Sequence, residues 1–509
     1  MTAFSSPSAQ ARIWRDRADA LVAEQRLDGR AWIDGQRVAA QGGATFDCVS
    51  PIDGRVLGQI ARGQAADVDA AVQVARRTFE AGVWSRQAPV ARKKVLQRWA
   101  ELMVQHKDEL ALLETLDMGK PIQYSLTVDV PLAVRCIAWY AEAIDKVYDE
   151  VAPTGPDALA LIQREAVGVV GAIVPWNYPM LMAAWKLGPA LATGNSVVIK
   201  PSEKSSLTAM RMAELAHKAG LPAGVLNVVP GYGHEAGEAL ALHMEVDALG
   251  FTGSTRVGRK MLAYAAESNL KRVFNELGGK SAFVVFDDVG SVQRAAQAVA
   301  GSLFFNQGES CNAPSRLVVH EAVADAVLAE VLAMAPRHQP ADPLDPATVM
   351  GALVDEGQLR TVLGYIDQGK AQGARCVAGG EQALAETGGY YVQPTVFDGV
   401  RSDMTIAQEE IFGPVLSVIR FQDEAEAIQI ANGTPYGLQA SVWSQGLDRA
   451  HRVARAIRAG TVHVNQYDED DMTVPFGGFK QSGNGRDKSL HALAKYTELK
   501  TIWIRINPA

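Results

Sequence analysis

Cys311, in Asn306-Gln-Gly-Glu-Ser-Cys311-Asn-Ala-Pro-Ser-Arg316, is a thiol followed by small residues. Glu276, in Glu276-Leu-Gly-Gly-Lys280, is a carboxylate beside a glycine pair, and Asn177 stands in Pro175-Trp-Asn-Tyr-Pro179. These types suit covalent oxidation of an aldehyde. A thiolate attacks the carbonyl carbon and leaves negative charge on its oxygen. The backbone amide of Cys311 and the side-chain amide of Asn177 are the donors expected to meet that charge. One such donor is worth about 2.7–4 kcal/mol in the transition state. Loss of hydride then leaves a thioacyl enzyme, and Glu276 is the general base for the water that hydrolyses it. Singly, each residue has a plainer reading: a buried small hydrophobe, a turn residue, a surface acid. Their joint occurrence carries the chemistry.

A hydride needs an acceptor, and glycine-rich turns are where a dinucleotide acceptor binds. Gly231-Tyr-Gly-His-Glu-Ala-Gly237 is one residue too long for the usual dinucleotide fingerprint. Gly253-Ser-Thr-Arg-Val-Gly258 is a strand-to-helix turn whose free amides suit phosphate. Lys200-Pro-Ser-Glu203 closes a buried-looking strand, the place where open α/β sheets bind ligands. A carboxylate there can accept from ribose hydroxyls and repels a 2′-phosphate, so Glu203 favours NAD over NADP.

The elements that position these residues read as α/β. Short β-branched runs at Val167–Val174, Ser196–Lys200, Val225–Val229 and Ala248–Thr252 alternate with amphipathic stretches such as Ser206–Ala219, which Gly220 and Pro222 punctuate. A helix opens near Asp67, placed as its N-cap. A second α/β texture starts at Ser281-Ala-Phe-Val-Val-Phe286 and runs to about Gly478. Ala158–Arg164 and Leu499–Ile506 read as strands belonging to neither.

The chain has 509 residues, long enough for two or three domains. Its formal charge of −8 argues against a nucleic-acid surface. Cys48, Cys136, Cys311 and Cys376 show no metal-ligand or redox spacing, which suits a reducing cytosol. Neither a secretory signal nor the roughly 20-residue apolar run of a membrane helix is visible. A cytoplasmic enzyme is expected.

These motifs, with Phe251-Thr-Gly-Ser-Thr255 and Glu409-Glu-Ile-Phe-Gly-Pro414, occur in an order that closely resembles the NAD(P)-dependent aldehyde dehydrogenase superfamily, from about Phe46 to Ile506. The resemblance implies a Rossmann-type NAD-binding domain (1–146 and 167–280), an α/β catalytic domain (281–483) and a small β oligomerisation element (147–166 and 484–509) in a dimer or tetramer. It implies no metal. Lys200 and Glu203, with Ser202, would meet the adenosine ribose, and Gly253 and Ser254, with Val257, the pyrophosphate. Gly233 and Gly237 would lie near adenine. Val174, Pro175, Trp176, Phe251, Leu277 and Gly278 would follow the dinucleotide, and Glu410 and Phe412 would grip the nicotinamide ribose and ring. Three departures stand out: Asn275 replaces an apolar residue, Tyr178 the usual Phe, and Ser310 and Asn312 flank the nucleophile with polar groups.

For the aldehyde itself, Asp468-Glu469-Asp470-Asp471 would place an acidic mouth on the tunnel that the family forms with this loop. Tyr178, Met182, Trp185 and Phe476, with Trp176, would make an apolar or cation-accepting wall. The closing run Met472–Leu490 is similar to the branch acting on γ-glutamyl-γ-aminobutyraldehyde and 4-guanidinobutyraldehyde, which serves putrescine and arginine breakdown. The expected substrate is therefore a cationic ω-amino or guanidino aldehyde of about four carbons. Alternatives are neutral aliphatic or aromatic aldehydes, acylation of coenzyme A, a cysteine hydrolase, or an inactive NAD-binding scaffold. Glu276 opposes acyl transfer to coenzyme A, and the full set of reactive residues opposes an inactive copy.

Overall fold

The β-branched runs of the first half pair as the parallel part of a seven-stranded sheet. Its order is Arg272–Leu277, Ala248–Gly253, Val169–Ile173, Ser196–Lys200, Leu226–Val228, then the antiparallel strands Ala31–Ile33 and Gln36–Val38. The computed structural model describes residues 4, 8–24, 27–467 and 471–507. Val169–Ile173 is shorter than its apolar run because Gly168 turns at φ 131°. Asp247 then accepts the Val169 N–H at 2.7 Å.

From Val169–Ile173 the chain steps outward on one side and returns to Ala248–Gly253 on the other. Strand order reverses between these two, and ligands of open α/β sheets sit outside the carboxyl ends at such a point. Those ends lead directly into Val174–Tyr178 and Ser254. The neighbouring strand, Arg272–Leu277, carries Glu276 in its last turn of sheet.

The helix expected at Asp67 spans Ala65–Ala81, but its N-cap is Gln64. Asp67 is its third residue and accepts from Gln64 N at 2.9 Å, the reciprocal half of a capping box. The helix over Pro179–Ala192 is buried along its whole length, between the sheet and the helices Pro89–Gln105 and Val130–Ala143. It carries Met182 and Trp185.

A second seven-stranded sheet runs Arg375–Ala378, Thr395–Asp398, Val415–Phe421, Arg316–His320, Ala282–Val285, Gln439–Trp443, Thr461–Val464, antiparallel only at its first pair. Cys311 lies five residues before Arg316, on the amino side of that strand. The strand texture assigned to neither main sheet forms a third one: Ala158–Ala166 pairs antiparallel with Glu150–Ala152 and with Thr497–Arg505. The outer strand leaves Leu499 and Trp503 exposed. No helix among the described residues is long and apolar enough to cross a membrane. Among them, no cluster of three His, Cys, Asp or Glu could hold a metal ion.

Candidate active site

The helix Val292–Phe304 delivers the chain to Asn306 and Gln307, both left-handed (φ 49° and 56°), and to Gly308 (φ 73°). Non-glycine residues pay for that conformation, so neighbours must hold it. Asn306 Nδ2 donates to Asn177 O and Glu309 O, each at 3.1 Å. Gln307 Oε1 accepts from Gly351 N (3.1 Å) and Glu309 Oε1 from Val354 N (3.0 Å). A Cβ on Gly308 would stand 2.2 Å from Gly413 O. This run is a pinned turn that ends in Cys311.

Asn177 Nδ2 donates to Glu309 O at 2.9 Å. An amide nitrogen carries a second hydrogen, and Asn177 lines the same cavity as Cys311. Tyr178 Oη and Ser310 Oγ lie 2.6 Å apart. Three side-chain hydrogen bonds thus tie the 177–178 segment to residues 306–310. Sequence reasoning assigned no role to Asn306, Gln307 or Glu309, because partners 40 to 130 residues away leave no local pattern.

Glu276 is 1% exposed and lines the cavity with Cys311. The Cys311 thiol reaches its carboxyl, and no other hydrogen-bond donor among the described residues does; a buried acid so sparsely held is costly. Burial raises its pKa to about 8; Lys186 and the Cys311 thiol pull it down, while Asp487 and Glu410 push it up. Lys186 Nζ bonds Asp487 Oδ2 at 2.5 Å, and Lys495 Nζ bonds Asp487 Oδ1. Asp487 is fully buried, yet its two lysines hold it below the usual carboxylate range.

The glycines after Glu276 are demanded by space. Cβ atoms would meet Glu410 Oε2 at residue 278 and Cys311 O at residue 279. Gly279 N donates to Glu410 Oε1 at 3.0 Å. Burial raises the Glu410 carboxyl to about 7, against that hydrogen bond and the nearby Lys280. Phe412 is left-handed at φ 58°, with its ring edge-on to Trp176 at 5.2 Å.

One cavity of about 690 Å³ runs through this region. Pro175, Trp176, Gly253, Ser254, Gly278, Glu410 and Phe412 line one part of it, and Cys311, Glu276 and Asn177 meet there as well. The rest of the expected cofactor set lies outside its walls. Val174 N bonds Lys200 O (3.2 Å), joining adjacent strand ends. Lys200 Nζ and Glu203 Oε2 lie 3.0 Å apart. Burial lowers the Lys200 ammonium more than Glu203 restores it. Burial also opposes ionisation of Glu203, but Lys200 and its hydrogen bonds hold that carboxyl below its ordinary value.

Ser202 Oγ accepts from Lys204 N at 3.2 Å within the turn. Gly233–Gly237 is a π-helical turn before a helix of only five residues. Ser254, by contrast, caps the 13-residue helix Thr255–Glu267 by accepting from Val257 N at 3.4 Å. Phe251 and Leu277 are core residues packed in one apolar cluster, with Val257 against it.

Tyr178, Met182, Trp185 and Phe476 form the other wall, joined by Leu132, Leu181, Phe305 and Lys488, which sequence reasoning missed. Asp471 does not line the cavity. It is exposed and bonded to Arg135 at 2.7 Å, so the acidic-mouth expectation is corrected for this residue. Asp468, Glu469 and Asp470 lie outside the described residues. Lys120 Nζ sits 3.9 Å from the Tyr178 ring centroid. That lysine is held by Asp129 in a fully buried pair.

A model of the aldehyde dehydrogenase family matches residues 38–502. The chain belongs to the aldehyde dehydrogenase family. Among curated relatives, it is 54% identical to the NADP/NAD-dependent aldehyde dehydrogenase PuuC of Escherichia coli, over 97% of this chain and 98% of that one. Two solved aldehyde dehydrogenases are each 59% identical, covering 98% of this chain and 100% of theirs. One is a mutant indole-3-acetaldehyde dehydrogenase (AldA) of P. syringae in complex with NAD+ and IAA, at TM-score 0.96. The other is a gamma-glutamyl-gamma-aminobutyraldehyde dehydrogenase from Burkholderia cenocepacia, at TM-score 0.95.

Proposed function

We propose that this aldehyde dehydrogenase uses NAD+ to oxidise an aldehyde carrying an ω-amino or N-acylamino tail to its carboxylate. One observation supports it above the rest: Cys311, Glu276 and Asn177 line a single cavity that continues to Glu410 and Phe412. The residues fit a dinucleotide. Ser254 opens a long helix whose first-turn amides suit a pyrophosphate, and the Lys200–Glu203 pair stands at a strand end where ribose hydroxyls bind. The chemistry supplied by bound NAD+ is acceptance of the hydride that turns a thiohemiacetal into a thioester.

The chain's own residues do the remainder. Cys311 Sγ bonds to the carbonyl carbon, and its thiol proton goes to a base in the site. The Cys311 amide and the second N–H of Asn177 stabilise the oxyanion. Glu276 then takes a proton from water as that water attacks the thioester. Cys311 leaves and the carboxylate forms. Glu309 O fixes the Asn177 side-chain amide and Asn306 holds the Asn177 backbone carbonyl, so the amide's orientation costs little at the moment of reaction.

The amino or acylamino tail rests on the four-carbon reading of the closing run, and the likeness to the Burkholderia gamma-glutamyl-gamma-aminobutyraldehyde dehydrogenase supports it. A second reading, a neutral aromatic aldehyde, is favoured by the mostly apolar wall and by the equal identity to the indole-3-acetaldehyde enzyme. Steady-state NADH formation with 4-acetamidobutanal, 3-aminopropanal, pentanal and indole-3-acetaldehyde separates them. Mass spectrometry of Glu276→Gln during turnover should find the acyl mass on Cys311. No adduct there, or full activity in Cys311→Ser, overturns the mechanism.

We likewise infer a dimer or tetramer built through the three-stranded sheet. Sedimentation of a purely monomeric active enzyme would refute it.

A further inference from the structure

Two of the three departures seen in the sequence meet in the structure. Tyr178, standing for the usual Phe, and Ser310, the residue before the nucleophile, place their hydroxyl oxygens 2.6 Å apart. They arrive from different sheets. Tyr178 is the N-cap of the helix Pro179–Ala192, which follows the first sheet's strand Val169–Ile173. Ser310 closes the pinned turn that leads into Arg316–His320 of the second sheet.

The chain neighbours of each residue give this contact its chemistry. Asn177, whose side-chain amide is one proposed oxyanion donor, precedes Tyr178 directly. The other proposed donor, the Cys311 N–H, belongs to the peptide unit whose carbonyl is Ser310 O. That carbonyl accepts from Ala313 N at 3.1 Å. With its oxygen held by Ala313 and its Ser310 end tied to Tyr178, the planar unit has little freedom to turn, and its N–H direction is set.

The Tyr178 end is anchored in its own right. Tyr178 O accepts from Met182 N at 2.8 Å, the first turn of the buried helix. The ring rests against Lys120, whose Nζ is 3.9 Å from the centroid and is ion-paired with Asp129 in full burial. A neutralised, buried pair of this kind is a fixed post beneath the ring.

We infer that the hydrogen bond between Tyr178 and Ser310 is a positioning brace for the oxyanion hole, holding the Asn177 amide and the Cys311 N–H at one mutual separation so that both meet the same oxygen. In this role both residues act through their neighbours. The inference rests on the functional reading above and adds to it the part that sets the hole's geometry. A Phe at 178 has no hydroxyl with which to make the brace.

The test uses pentanal, whose tail has no polar atom, so that a lost contact to the tail cannot imitate the effect. Stopped-flow absorbance gives the rate of first-turnover NADH formation and the steady rate. Iodoacetamide alkylation, followed by the mass of the Cys311 peptide, reads the same sulfur through a step that forms no oxyanion: Sγ bonds to the methylene carbon and iodide leaves. Tyr178→Phe keeps the ring on Lys120 and removes only the hydroxyl, and Ser310→Ala removes its partner. Each should slow both NADH rates about tenfold or more, a part of the roughly 10²–10³ that a whole oxyanion donor is worth, while alkylation, its pH profile and the Kd for NAD+ stay within about threefold. The double variant should lose no more than the worse single one, because each change alone breaks the same bond.

Unchanged turnover in either single variant overturns the inference, as do additive losses in the double. Alkylation that falls in step with turnover also overturns it, since the whole loop has then moved. Loss of NAD+ binding in both single variants assigns the bond to folding and removes the positioning role. Failure of wild type to reduce NAD+ with any aldehyde defeats the functional reading instead.

Discussion

Gly278 leaves room that Glu410 fills: a Cβ on residue 278 would stand 2.0 Å from Glu410 Oε2. Its neighbour does the same for the nucleophile, since a Cβ on Gly279 would stand 2.4 Å from Cys311 O. The glycine pair therefore threads between Glu410, proposed to face the nicotinamide, and the loop that carries Cys311. Gly279→Ala should push the Cys311 backbone aside and lower kcat about 100-fold, the scale of a 1 Å misplacement. Gly278→Ala should act through Glu410 and raise the KM for NAD+. Steady-state kinetics with both substrates varied will separate the two effects, and equal losses in both variants would contradict this division.

Glu276, proposed as the general base, should set the pH response. Its folded-state pKa is raised to about 8, chiefly by burial, and only the ionised form can accept a proton from water. Where deacylation limits turnover, kcat should rise about tenfold per pH unit below about pH 8 and level off above it. In Glu276→Gln the NADH burst should persist while the steady rate falls by about 10²–10⁴. Stopped-flow absorbance across pH 6–9.5 reads both. A flat profile in wild type with rate-limiting deacylation would rule out Glu276 as the base.

How far the sequence was legible differs residue by residue. The strands Ser196–Lys200 and Ala248–Gly253 were readable because both faces are buried, leaving continuous β-branched runs. The turn Gly253–Gly258 was readable because glycines between a β-branched run and a helical pattern are a local signal, though the cap that Ser254 supplies there was not read. Asp67 was misplaced by three positions, since a third-position carboxylate and an N-cap look alike without the preceding backbone angle. Asn306 was not legible at all. Its importance lies in left-handed backbone and in partners far along the chain. Asp471 misled because a run of acids does not announce that Arg135, 336 residues away, neutralises one of them.

Asp471 should consequently matter little to aldehyde choice. It is exposed, and its carboxyl is held below the ordinary range first by the Thr473 hydroxyl and backbone and then by Arg135. Asp471→Ala should shift the kcat/KM ratio between 3-aminopropanal and pentanal by less than about twofold, because an exposed pair is screened by solvent. A larger fall, with Arg135→Ala moving the ratio the opposite way, would restore an attractive role for this carboxylate.

Glu203 is the residue whose charge should choose the cofactor. It is paired with the buried ammonium of Lys200 at 3.0 Å and held ionised, so a 2′-phosphate approaching that strand end meets a negative charge. Two unit charges 4 Å apart repel by roughly 4 kcal/mol at an effective dielectric of 20. Glu203 is one-third exposed, and solvent screening reduces that figure. Glu203→Gln should therefore raise the NADP+/NAD+ ratio of kcat/KM about tenfold. The same change leaves Lys200 without its carboxylate and exposes it to the incoming phosphate, which works in the same direction. The separate variant Lys200→Met removes that attraction while keeping Glu203, and should push the ratio back toward NAD+. If Glu203→Gln leaves the ratio unmoved, the pair does not face the adenosine ribose, and its hydrogen bond serves only to close the strand end.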